Sequence, residues 1–115
     1  MKKNILNISI LLLIFSLTGC SSKEDNQIRS FAKCSIVAEQ LGDYKSKKNL
    51  ENKMGIYMKN NADYFKSINN LSAYFMKLTE EVRNDDIGLY KYNTRGKMKI
   101  LQELYNSDEC KELYK

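Results

Sequence analysis

Three cysteines, Cys20, Cys34 and Cys110, are the side chains of this chain with the most chemistry to offer. Other reactive constellations are missing from the sequence. Its 115 residues contain no histidine, which removes Ser-His-Asp and Cys-His pairs and any imidazole acid–base step. Carboxylates stand side by side at Glu80-Glu81, Asp85-Asp86 and Asp108-Glu109. Neighbours on a helix diverge by about 100°, so such pairs do not converge on one substrate atom. They read as surface, turn and helix-start charges. Gly96-Lys97 lacks the earlier glycine of a phosphate-binding loop. The expectation is a protein that is not an enzyme, with no catalytic side chain and no cofactor.

The first cysteine closes a distinctive segment. Lys2 and Lys3 open the chain with positive charge, and an apolar run from Ile5 follows, interrupted only by Asn7, Ser9 and Ser16. Counted to Gly19 it is 15 residues, roughly 22 Å as a helix, and a hydrocarbon core requires roughly 20. Charged Lys23, Glu24 and Asp25 come soon after. This is the pattern of a cleaved export signal. The run ends in Leu17-Thr18-Gly19-Cys20: an aliphatic residue, two small ones and a cysteine. Position by position, these four residues resemble the lipobox of bacterial lipoproteins.

That resemblance covers about the first 21 residues. It implies a diacylglyceryl thioether on Cys20, cleavage before it and, in many diderm hosts, acylation of the new amino group. Several acyl chains, at about 0.8 kcal/mol per buried methylene, hold far more firmly than one. Aspartate after the lipidated cysteine usually signals inner-membrane retention in this class, so Ser21 implies the outer membrane, facing the periplasm. Residues 1–19 are then the signal peptide, 20–26 the lipidated N-terminus and polar tether, and 27–115 the folded domain.

The cysteine count becomes even once Cys20 carries lipid. In an oxidising compartment, Cys34 and Cys110 most simply form one intramolecular disulfide. Two free buried thiols or an intermolecular bond are the alternatives. With no histidine and only two remaining thiols, no metal site is expected. A bridge would close a loop of about 77 residues, worth roughly 4.5 kcal/mol in the chain-entropy model.

The elements that must position these cysteines are helical. Proline is absent and glycine occurs only five times, leaving little turn chemistry for hairpins. A first helix is expected from about Asp25 to Leu41, with Ile28, Phe31, Cys34 or Ser35, Ala38 and Leu41 on one face, stopped at Gly42-Asp43. From Leu50, alternating steps of four and three reach Met54, Tyr57, Asn61, Tyr64, Ile68, Leu71, Phe75, Leu78 and Val82. Only Asn61 interrupts that apolar series. Ser46 is a candidate cap at its start. The segment is one helix of about 36 residues, or two broken near Asn60-Asn61 or Asn69-Asn70.

A helix from about Ile87 to Tyr105 follows, weakened in its middle by Gly96. Ser107 then caps a last turn from Asp108 to Tyr114 that carries Cys110. The expected fold is all-α, a small three- or four-helix bundle with one disulfide, after a cleaved signal peptide.

Binding residues are sought on the charged faces. Lys91, Arg95 and Lys99, four apart, would make a basic stripe on the last long helix, with Tyr90 and Tyr92 beside it. Lys45, Lys47 and Lys48 form a second cluster. Each is a solvated face or a contact for anionic head groups or an acidic protein. Without Lys2 and Lys3 the net charge falls from +5 to about +3, so nucleic acid is not an expected partner.

The partners implied are the membrane, through the lipid, and a protein. One function fitting this layout is a non-enzymatic protein-binding or assembly factor at the outer membrane. Pilotins, small helical lipoproteins that escort secretion components, have a similar architecture. A second is a protective lipoprotein acting against incoming plasmids, superinfecting phage or a toxin. A third is a structural envelope lipoprotein.

Overall fold

A computed structural model describes residues 22–115; the expected signal peptide, residues 1–19, and Cys20 lie outside the described residues. Among these, the elements are helical: α1 (Lys23–Gln40), α2 (Tyr44–Asn60), α3 (Ala62–Lys66), α4 (Leu71–Glu81), a π-helical segment (Val82–Ile87), a 3₁₀ turn (Leu89–Lys91), α5 (Thr94–Tyr105) and α6 (Asp108–Tyr114). This is the expected all-α bundle: four longer helices joined by short ones, with Cys34 and Cys110 bonded. No helix of the described residues is long and apolar enough to cross a membrane.

Local chemistry explains most boundaries. The Ser22 side chain accepts from the backbone N–H of Asp25, and Glu24 and Asp25 sit in the first turn, where acidic groups favour the positive end of the helix dipole. α1 therefore starts at Lys23, and residues 23–26, expected as tether, belong to the helix. Its other end closes in a Schellman turn. Gly42 takes a φ of +80°, Gly42 N–H donates to Glu39 and Asp43 N–H to Ala38. Asp43 then caps α2, accepting from Ser46 N–H at 3.1 Å. The expected cap, Ser46, is thus the donor partner of the true one, and α2 begins two residues before it.

The long periodic segment breaks at both asparagine pairs. The Asn61 side chain turns back onto the Tyr57 carbonyl at 2.8 Å, ending α2, and Asn70 caps α4 by accepting from Ala73 N–H. The two breaks fold the segment into a hairpin with α1 between its arms. It is α1, and not the periodic segment, that serves as the central helix. Ile28, Phe31, Cys34, Val37 and Ala38 are all buried on it, an arc of about 180° that is wider than the usual stripe of about 100°.

Beyond Glu81 the winding widens, and Gly88 N–H donates five residues back to Arg83 at 2.9 Å. Val82 and Ile87 are both buried. On an α-helix they would diverge by about 140°; the wider turn lets both reach the core. Gly88, at φ +65°, ends the segment as glycine can.

The helix expected from Ile87 to Tyr105 therefore begins only at Thr94. Asn93 caps it, accepting from Gly96 N–H at 2.9 Å, which places Gly96 in the first turn. A Cβ there would stand 3.1 Å from that of Tyr92. As expected, Ser107 caps α6.

Candidate functional site

α1 is closed on one side and open on the other. The closed side carries the bridge, with Cys34 and Cys110 both inaccessible and their Cα atoms 5.4 Å apart. Tyr114 donates to the Cys34 carbonyl at 3.1 Å, Lys53 to the Leu113 carbonyl at 2.6 Å, and Glu109 accepts from Lys33 and Ser30. Glu109 completes a cluster with the two sulfurs, but the sulfurs are bonded to each other, so the cluster does not present two thiolates to a metal.

The open side is a groove assembled from three adjoining hollows. One, of about 260 Å³, lies between α1 and α2 and reaches α4; Phe31, Ile36, Leu50, Met54 and Thr79 line it. A second, of about 420 Å³, is a shallow trough along one face of α4 formed by Phe75, Met76, Thr79 and Arg83. A third, of about 210 Å³, ends the groove at Ile36, Gln40, Ile87, Leu89 and Tyr90. Thr79 joins the first to the second, Arg83 and Asn84 the second to the third, and Ile36 the first to the third. Met76 remains 72% exposed and Tyr90 69%, so both stand open to solvent on this side.

Polar groups frame the groove. At one end Lys47 lies 3.2 Å from Glu51 and 3.8 Å from Glu39. The hydrogen bond to Glu51 and the charge of Glu39 hold its ammonium above the ordinary lysine range. Outside the lining, Arg29 joins Glu81 at 2.7 Å and Asp86 at 3.4 Å, tying α1 to α4 and to the π segment. The bond from Arg29 lowers the Glu81 carboxyl. Arg83, exposed on the rim, makes no ion pair among the described residues. The lining is mostly apolar, with Ser35, Glu39, Lys47 and Glu51 on one side. Its chemistry is apolar contact with a charged frame.

The expected basic stripe does not form on one helix. Lys91 belongs to the 3₁₀ turn, its ammonium 5.6 Å from the centre of the Tyr90 ring. Extended Tyr92 and the cap Asn93 separate it from Arg95 and Lys99, which do share a face of α5. The tyrosines separate as well. Tyr90 lines the groove, whereas Tyr92 packs beside Gly96. Lys47 of the second cluster is spent on Glu39 and Glu51.

The groove residues Ile36 and Met76 were outside the sequence expectation. Both are apolar and off the main stripes of their helices, and that displacement was their only signal. No protein-family model, curated protein or solved structure matches the chain.

Proposed function

We propose that this protein is a small lipoprotein, anchored at the outer membrane through Cys20, that binds another protein without catalysis. The groove over Ile36, Thr79 and Met76 is the observation that supports this reading. It is mostly apolar, open to solvent and rimmed by charge, which suits the apolar face of an amphipathic helix. The π segment forms one wall, a type of winding that recurs at functional sites. An assembly or escort role of the pilotin-like kind follows from that surface better than envelope scaffolding, which needs no groove.

A photo-crosslinking residue at position 76, introduced into the full-length protein in cells, tests the reading. One adduct of defined mass is expected from position 76 and none from position 111, exposed on the closed α6 side. That adduct disappears when Ile36→Arg is added. Equal labelling from both positions, or an adduct indifferent to Ile36→Arg, overturns it.

A further inference from the structure

The anchoring point and the fold meet with almost no chain between them. Cys20 precedes Ser22 by two residues, which a chain covers in at most about 7 Å. Ser22 is already fixed: its hydroxyl donates to Tyr64 of α3 at 2.8 Å while capping α1. One turn later, Tyr74 of α4 donates to Asp25 at 2.6 Å. Two tyrosines from different elements thus clasp the first turn of α1.

From this geometry we propose that the domain is mounted on the bilayer in a fixed orientation, with the α1 start, the α2 tip and α3 seated on the lipid head groups. The inference rests on Cys20 carrying lipid. Glu24 and Asn60 to Tyr64 line one polar hollow of about 330 Å³ at this end, so the α2–α3 turn lies beside the first turn of α1. Lys23, Lys59 and Lys66 stand in these turns against Glu24, Asp25 and Asp63. Three charges of each sign, among asparagines and serines, match a zwitterionic head-group layer, with phosphates for the lysines and ammonium groups for the carboxylates. An anionic surface would instead call for a basic excess.

The mount also sets the height of the groove. Ile36 lies 14 residues along α1 from Ser22, or about 21 Å. Gly42-Asp43 and Tyr44 form the far end. The Ile36 part of the groove therefore stands clear of the lipid, within reach of a partner arriving from the aqueous side.

The chain has no tryptophan, so single tryptophans report cleanly. Full-length lipidated protein carrying Asn60→Trp or Tyr44→Trp is reconstituted in phosphatidylethanolamine–phosphatidylcholine vesicles containing a head-group spin-labelled lipid. Lys66→Trp and Lys48→Trp serve as a second pair, and circular dichroism checks each fold. Fluorescence at position 60 is expected to be quenched several-fold more than at position 44, with or without added anionic lipid. Removing both clasping hydroxyls, Tyr64→Phe with Tyr74→Phe, narrows that contrast, and an unchanged contrast overturns the role of the clasp.

Vesicle flotation is read on the same samples. Protein that fails to float overturns the anchor and the orientation together. Protein that floats but is quenched equally at both ends, or differs only with anionic lipid, overturns the orientation and leaves the anchor standing.

Discussion

The two sides of α1 are built to different standards. Toward α6, a disulfide, three side-chain hydrogen bonds and the Lys33–Glu109 pair close the surface, and both sulfurs are inaccessible. Burial raises the Glu109 carboxyl, but the bonds from Lys33 and Ser30 outweigh it and leave the group below the ordinary range. Toward α4, the polar ties are Arg29 to Glu81 and Asp86 and, at the first turn, Tyr74 to Asp25, and apolar side chains stand open beyond them. Stability is not spread evenly over a fold, and binding elements come from its weaker end. The stapled side sets how long the fold lasts; the open side is free to change its covering.

This contrast can be broken at several points. Cys110→Ser has the largest expected effect, up to about 4.5 kcal/mol in the loop-entropy account, read as a lower urea midpoint. Reduction should lower the wild type equally. A variant as stable as wild type would show that the bridge is not what holds the closed side. Ile28→Ala, in the inaccessible shared core, should cost about 3 kcal/mol by lost burial and the cavity left behind. A loss below that of an exposed site would mean the core is not shared.

Asp43 connects the far end of α1 to α5, accepting from Ser46 at 2.7 Å and Tyr105 at 2.5 Å. Those bonds hold its carboxyl below the ordinary range. A depressed folded value stabilises above the unfolded one, about pH 3.9, and is lost as pH falls through the folded value. Asp43→Ala should therefore cost about 1 kcal/mol near neutrality through the lost cap and should flatten the acid arm of stability against pH. An unaltered acid arm would assign that dependence to other carboxylates, among them Glu81 and Glu109, which are depressed in the same direction.

Smaller effects probe the open side. Arg29→Met should speed amide exchange over residues 82–87 while leaving α6 protected, and uniform acceleration would erase the distinction between the two sides. Met76→Ser, at an exposed position, should change stability by no more than about 0.5 kcal/mol and yet weaken partner capture. A substantial loss of stability would show that Met76 serves the core.

Features carried by neighbouring residues were legible in advance. The all-α class followed from periodicity and the lack of proline, the cysteine pair from counting once the lipobox resemblance sets Cys20 aside, and the α6 cap from Ser107 before two acids. Where short-range chemistry allows two outcomes, boundaries stayed open or moved. Asn61 and Asn70 could have been exposed helix residues or breaks, since asparagine bonds both to helical neighbours and to its own backbone. The helix expected from Ile87 was broken by Gly88 and Asn93, each able to end a helix as well as tolerate one. Asp43 and Ser46 both qualify as caps, and only the entry path of the chain selects between them.

The sequence by itself determined the helical class, the cap residues of α6, the turn at Gly42 and which thiols could pair, because each depends on a few adjacent groups or on a count. Only the tertiary structure decided that α1 is the centre, that Val82–Ile87 widens into a π turn, that Lys91 leaves the line of Arg95 and Lys99, and that Ile36 and Met76 share a groove. Those outcomes depend on which faces find partners across the bundle. An apolar residue off the main stripe has the same sequence signature whether a neighbour covers it or solvent does.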